Sequence, residues 1–372
     1  MRRLIAACCL TAMPAYAENA PNVVVDIAPI QSLVAQIMEG VGEPSQIIPA
    51  GASPHSYAMR PSEARALEAA DLVVWVGPSL THWLEEPIET LSPDSTQLVL
   101  MQHPGTQTLP LRSPESLVVE DDDHGDHDEH ADHADHDDHA DHDDHADHDD
   151  HADHDDHADH DDHADHGDHA GHDDHADHDD HADHDDHAEH DDHAGHDGHH
   201  HVGNIDPHGW LSPSNAVLWA GVVAQQLVQM DPDNAVTYMA NWDKLSAEIA
   251  AVSEQVATDL EPYADAKFIV LHDAFQYFDN AYGLEAAAFI VPGNGQSPGP
   301  ARVKALRDHL AEHPAVCAFT APQENEQLLR TALEGQATRV AVLDPIGSDG
   351  GSYASLLRGF ADAMVGCFAD KS

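Results

Sequence analysis

Basic residues are scarce in this 372-residue chain, which has 14 Lys and Arg against 70 Asp and Glu and a formal net charge of −56 at pH 7. Affinity for nucleic acid phosphates and for anionic membrane surfaces depends on Lys and Arg side chains, so this composition excludes both as partners. Long apolar runs are also missing. After the first 17 residues, no stretch approaches the ~20 apolar residues that a bilayer-spanning helix needs.

The acidic residues are concentrated in one segment. Residues 120–201, here called the His-rich insertion, contain 37 acidic residues and 28 of the 35 His, with no Lys or Arg. His recurs at every third position from 124 to 199, a period that fits neither an α-helix nor a strand, and no apolar residue larger than Ala is present. We therefore predict an insertion that is disordered when metal-free. Its imidazoles suit zinc, copper or nickel.

The first 17 residues have the pattern of a secretory signal peptide. Arg2 and Arg3 precede an apolar stretch at residues 4–13, and Ala15-Tyr16-Ala17 resembles a cleavage site. The pattern predicts a mature, periplasmic protein that starts at Glu18. Lipid attachment at Cys8 is left open as an alternative.

Cysteine is sparse as well, with four in the chain and two, Cys317 and Cys367, after the leader. In an oxidising compartment a structural disulfide is the default for such a pair. A free buried pair and a metal-binding role are the alternatives.

Strand-like and helix-like segments alternate on both sides of the insertion, which predicts an α/β fold with parallel sheets flanked by helices. The predicted strands are residues 22–26, 47–48, 72–76, 268–271, 286–290, 316–319 and 340–343. A long helical pattern separates two such groups and reads as a rigid connector. The resulting division is an N-terminal lobe (18–230, carrying the insertion), a connecting helix (231–262) and a C-terminal lobe (263–372).

Four potential ligands lie at the ends of predicted elements, where a site between two α/β lobes is expected. They are His55, His208, His272 and Asp344, and three imidazoles with one carboxylate are a four-coordinate set that suits zinc. The remaining histidines outside the insertion are interpreted as surface residues: His82, His103, His309 and His313.

Six segments together resemble the cluster A-I substrate-binding proteins of bacterial metal-ion ABC transporters, and most closely their zinc-binding members. The segments are GASPHSYAMRPSE, ADLVVWVGP, DPHGWLSP, VLHDAFQYF, APQENEQ and LDPIG. The resemblance implies two α/β lobes joined by a long helix, with metal between them on His55, His208 and His272. The insertion and the Cys317–Cys367 pair also resemble features of the zinc members.

The resemblance bears on the metal and on its fourth ligand. Manganese-binding relatives tend to have a carboxylate where this chain has His272, so imidazole there favours zinc. Some zinc members have Glu next to the first His, where this chain has Pro54. Either Asp344, which matches a ligand in some relatives, or water is then the fourth ligand.

The expected function is a monomeric periplasmic receptor, not an enzyme, that passes Zn2+ to a membrane permease and its ATPase. The insertion would act as a low-affinity zinc collector or sensor. A zinc store without a transporter partner, or a manganese or nickel receptor, is the alternative. A zinc hydrolase is disfavoured because the chain has no His-Glu-x-x-His, and Glu324 is the nearest candidate base. Ordinary imidazole pKa values predict that zinc affinity falls below about pH 6.5.

Overall fold

The computed structural model describes residues 20–113 and 204–369, which belong to one compact unit. The predicted signal peptide and the His-rich insertion lie outside the described residues, so their interpretation stays a prediction. No helix in the two described ranges combines the length and the apolar character needed to cross a bilayer.

The first sheet is parallel and has the strand order β2-β1-β3-β4. Its strands are β1 (Val23–Val25), β2 (Ser45–Gln46), β3 (Leu72–Trp75) and β4 (Thr96–Val99). The intervening helices are α1 (Ala28–Ile37), α2 (Pro61–Glu68), α3 (Pro78–Thr81) and α4 (Glu85–Leu91). Every residue of β1 and β3 is buried, as expected for parallel strands covered on both faces.

Two helices follow the insertion, α5 (Pro213–Met230) and α6 (Ala235–Leu260). The 26 residues of α6 give a length of about 39 Å. This helix begins later than predicted, because Pro232–Asn234 forms a separate 3-10 turn. Its buried residues recur at intervals of four or seven, as at Leu245, Ile249, Val256 and Leu260, and it packs against α1 and α5.

The second sheet is also parallel and has the order β6-β5-β7-β8. Its strands are β5 (Phe268–His272), β6 (Ala286–Val291), β7 (Cys317–Thr320) and β8 (Arg339–Val342). Its helices are α7 (Gln276–Tyr282), α8 (Pro300–Glu312), α9 (Glu326–Ala332) and α10 (Tyr353–Ala369). Both sheets confirm the predicted α/β class, whereas the exact domain boundaries stay a prediction.

Alternation along β5 shows how the second sheet is covered. Ile269 and Leu271 belong to a small cluster that α8 and α9 cover, whereas Phe268 and Val270 join the main core. That main core is continuous from the first sheet through α5 and α6 to the second sheet. The C-terminal helix α10 completes it by packing on α6 and also on α1, so residues from both ends of the chain meet.

The predicted disulfide is present between Cys317 at the start of β7 and Cys367 near the end of α10. The two residues are separated by 50 positions, and both are buried. The bond therefore ties the last helix to a central strand of the second sheet.

We predict that replacing Cys317 and Cys367 together by Ala lowers the free energy of unfolding by about 4 kcal/mol, since the unfolded chain regains the entropy of a large loop. Urea unfolding of the zinc-free protein at pH 7 measures this. A loss below about 1 kcal/mol would contradict the prediction. Zinc stoichiometry serves as the control and should not change.

Candidate metal centre

His272 is the last residue of β5. The next two strands of the chain, β6 and β7, lie on opposite sides of β5, so the strand order reverses at this point of the second sheet. Crevices at the carboxyl ends of strands beside such a switch point are the usual ligand sites of parallel α/β sheets. His55 lies in the loop between β2 and α2, at the corresponding edge of the first sheet. His208 precedes a 3-10 turn, Gly209–Leu211, that leads into α5.

The three histidines meet, although 217 positions separate the first from the last. One potential ligand atom from each lies within 4.8 Å of the other two. Nε2 of His208 is 3.2 Å from Nε2 of His272. Two nitrogens bound tetrahedrally to one zinc ion at about 2.0–2.1 Å would be about 3.3 Å apart, so this spacing suits zinc.

Asp206 determines which nitrogen of His208 faces the cluster. Its Oδ1 accepts hydrogen bonds from Nδ1 of His208 at 2.7 Å and from the backbone N–H of His208 at 3.0 Å. With the proton on Nδ1, Nε2 keeps its lone pair for a metal ion. Metal-binding histidines commonly have a carboxylate in this role.

His55 is held by its surroundings rather than by a hydrogen bond to its ring. Gly295, in the loop between β6 and α8, lies so close that a Cβ atom there would be 3.1 Å from Cγ of His55, and its φ of +73° also favours glycine. Trp83 donates a hydrogen bond from Nε1 to the carbonyl of Pro54 at 2.9 Å. Nε2 of His55 is buried and has no hydrogen-bond partner among the described residues, as suits a nitrogen that awaits a metal ion.

Burial keeps the three imidazoles neutral. Desolvation lowers the pKa of His208 to about 3, and desolvation together with the charge of His208 lowers the pKa of His55 to about 3. The pKa of His272 is also well below its usual range, chiefly through burial and then through the two other histidines. Neutral imidazole is the form that binds metal, so the cluster is ready to bind at physiological pH.

Asp344 does not join this cluster of donor atoms. It lies two residues beyond β8, where its Oδ1 accepts hydrogen bonds from Gln323 Nε2 at 3.0 Å and from the backbone N–H of Ile346 at 3.2 Å. Its Oδ2 accepts a hydrogen bond from the backbone N–H of Ser348 at 2.6 Å. Its role as fourth ligand stays a prediction.

The model of the family named "Zinc-uptake complex component A periplasmic", or ZnuA, matches residues 23–367. The chain belongs to the ZnuA family. This membership confirms the resemblance to the cluster A-I binding proteins.

Relatives match along nearly the whole chain. The high-affinity zinc uptake system protein ZnuA of Paracoccus denitrificans (strain Pd 1222) is 42% identical over 369 residues, which cover 98% of this chain and 96% of that protein. The protein of the same name from Brucella suis biovar 1 (strain 1330) is 35% identical, covering 94% and 92%. Among solved structures, a ZnuA deletion mutant with zinc bound has a TM-score of 0.64 at 19% identity, covering 95% of this chain and 100% of that one, and so shares the fold.

The histidine cluster of this ZnuA-family chain opens into a cleft of about 600 Å³. The loops that follow β2, β6 and β7 line it, together with residues 345–346. Glu324 is one of the lining residues, and its Oε2 accepts a hydrogen bond from the backbone N–H of Ala321 at 2.8 Å. Burial raises its pKa to about 7. The main contact of the Glu324 carboxylate is thus with the backbone of its own turn.

The other four histidines lie apart from the cluster. The side chain of His82 is 90% exposed, and the rings of His309 and His313 lie 4.8 Å apart at the end of α8. His103 ends a 3-10 turn after β4. Sequence reasoning missed the role of Asp206, although its position two residues before His208 was a usable signal.

We predict that zinc binding at pH 5.5 releases no proton from the three imidazoles and at most about one from Asp206, whose pKa burial raises to about 7. Three imidazoles of ordinary pKa would release about three protons. Because the pKa values of His55 and His208 are lowered to about 3, proton competition at these two ligands begins only near pH 3, well below the value of 6.5 expected from sequence.

The number of protons released is measurable by calorimetry in two buffers of different ionisation enthalpy. Less than one equivalent of zinc is added, so that the tightest site fills first. A release of two or more protons would contradict the assigned pKa values.

Proposed function

We propose that this chain is a periplasmic substrate-binding protein that captures Zn2+ with His55, His208 and His272 and delivers it to the permease and ATPase of an ABC transporter. The observation that carries the proposal is the meeting of three neutral imidazoles, one buried and two half-buried, in a cleft between two parallel sheets. Membership of a family named for zinc uptake supports the cargo, the compartment and the transporter partners. A zinc store without a transporter is not favoured by that membership.

The donor set favours zinc over manganese. All three donors of the cluster are imidazole nitrogens, whereas manganese prefers carboxylate and carbonyl oxygens. Nickel and copper(II) also accept imidazole but favour square-planar or tetragonal arrangements. The 3.2 Å separation of the His208 and His272 nitrogens is close to that of a tetrahedral zinc site.

Contacts beside the metal centre support release by loop movement rather than by wide separation of the lobes. Trp210 donates a hydrogen bond from Nε1 to the carbonyl of Pro345 at 2.7 Å, and Tyr353 donates from its hydroxyl to the carbonyl of Trp210 at 2.7 Å. Both bonds are buried and join the turn after His208 to residues that follow β8. His55, by contrast, is carried by a loop, so we propose that it moves when zinc enters and leaves.

The described segments on either side of the His-rich insertion are paired close to the metal centre. Leu111 donates a backbone hydrogen bond to Asn204 at 3.0 Å, and Asp206 donates one to Leu109 at 2.9 Å, so the segments on both sides of the insertion are paired. The second of these segments lies two residues before His208. A tethered set of weak zinc sites would therefore raise the local zinc concentration where the ion is captured.

We predict that replacing His55, His208 or His272 singly by Ala weakens the tight zinc site by more than about a hundredfold, because each removes one of few ligands. Competition with a zinc chelator of known affinity measures this. His82→Ala is the matched control, since this histidine is exposed, and should bind as the wild type does. Unchanged affinity in all three variants would overturn the site.

Asp344→Asn, measured in the same assay, decides the fourth ligand. A loss of about tenfold or more assigns the carboxylate as a ligand, whereas a change within about threefold assigns the position to water. Asn keeps one side-chain oxygen, which can accept from the backbone N–H of either Ile346 or Ser348 but not from both, because these groups bond to different oxygens of Asp344.

We predict that deleting residues 120–201 lowers zinc stoichiometry by several ions and leaves one tight site. The reason is that the 28 histidines of the insertion are separate from the three of the cluster. Calorimetric titration of both forms measures this. A single ion bound by each form would contradict the role of the insertion as a zinc collector.

A further inference from the structure

Three carboxylates are buried near the metal centre, and two of them contact one guanidinium group. Arg112 donates from Nε to the two oxygens of Asp273 at 3.1 and 3.0 Å, and its NH2 group also donates to Asp273. Its NH1 and NH2 groups lie 3.4 Å from Oδ2 of Asp279. Asp206 is close enough for its charge to act on Arg112.

Two of these carboxylates are directly connected to proposed zinc ligands. Asp273 follows His272 in the chain, and its backbone N–H donates to the carbonyl of Val291 at 2.9 Å, at the end of β6. Asp206 accepts the hydrogen bond from Nδ1 of His208. The orientation of His208 therefore depends on where the Asp206 carboxylate lies, and the backbone next to His272 depends on where Asp273 is held.

Tyr277 joins the segment that precedes Arg112 to the segment that carries Asp206. Its hydroxyl accepts a hydrogen bond from the backbone N–H of Leu109 and donates one to the carbonyl of Asp206, each at 2.9 Å. Residues 109–111, immediately before Arg112, pair with residues 204–206 as well. These contacts hold Arg112 next to Asp273 near the metal centre, although the two residues are 161 positions apart in sequence.

The charge of Arg112 is needed because its partners are shielded from water. The side chains of Asp273 and Asp279 are 1% and 3% exposed, and that of Arg112 is 12% exposed. Burial raises the pKa of Asp279 to about 7, and Arg112 opposes this rise. Without a cation, neighbouring buried carboxylates would repel one another and draw in water or protons.

We propose that Arg112 is a positioning residue for the metal centre: by neutralising Asp273 and Asp279, it keeps Asp273 in place beside His272 and leaves Asp206 to orient His208. This inference rests on the proposed function, because its effect is on zinc capture. Arg112 itself contributes no ligand atom. It acts by holding the imidazoles of His208 and His272 in position before zinc binds.

The test is the zinc affinity of the tight site in the full chain, measured by chelator competition. Arg112→Met should weaken zinc binding by ten- to a hundredfold, the range for partners that orient metal ligands. Arg112→Lys keeps the charge but cannot reproduce the planar fork, so we expect a loss of at least about threefold. If Arg112→Met does not fold, the lysine variant provides the test.

A double variant separates charge neutralisation from simple packing. In Arg112→Met combined with Asp279→Asn, one uncompensated carboxylate has been removed, so affinity should recover by at least about threefold relative to Arg112→Met alone. Leu310→Ala removes a buried side chain of the cluster covered by α8 and α9 and controls for loss of stability. Arg358→Met removes a half-exposed arginine of α10 and controls for loss of a cation.

Both controls should bind zinc within about twofold of the wild type. The inference is overturned if Arg112→Met binds as tightly as the wild type, if the double variant shows no recovery, or if Leu310→Ala loses as much affinity as Arg112→Met. A wild type without a tight site would overturn the proposed function, and with it this inference. The two failures are distinguishable, because a missing tight site is seen in the wild type before any substitution is made.

Discussion

Three imidazole nitrogens must lie close together without their protons, and most features near the cleft serve that requirement. Three imidazolium ions at this spacing would repel one another, so the cluster is compatible with folding only if the rings stay neutral. Burial provides this by lowering the pKa of each histidine. The cost of burying polar rings is offset where Asp206 accepts the Nδ1 proton of His208.

The two parallel sheets explain how ligands so distant in sequence converge. A parallel strand ends at the same edge of its sheet as its neighbours, so loops following different strands meet there. His272 comes from one sheet and His55 from the other, while His208 belongs to the turn between them in sequence. The continuous core and the hydrogen bonds of Trp210 and Tyr353 keep the two edges facing each other.

Much of this arrangement was accessible from sequence, because apolar periodicity and position relative to strand ends are local properties. They located seven of the eight described strands to within a residue or two, missed β4, and singled out His55, His208, His272 and Asp344 at element ends. The contacts of Asp344 were not accessible, since an Asp after a strand can bind a metal or cap a turn, and only tertiary structure shows which groups surround it. Arg112 was missed because its partners are more than 160 residues away and no local pattern marks it.

The pairing of residues 109–111 with 204–206 affects how the length of the intervening chain can change over time. Both ends of the intervening chain are anchored side by side, so its length does not affect the distance between them. The entropic cost of closing a longer loop grows only by about 0.6 kcal/mol for each doubling. Repeat units of Asp and His can therefore be gained or lost between residues 111 and 204 while the fold on either side stays the same.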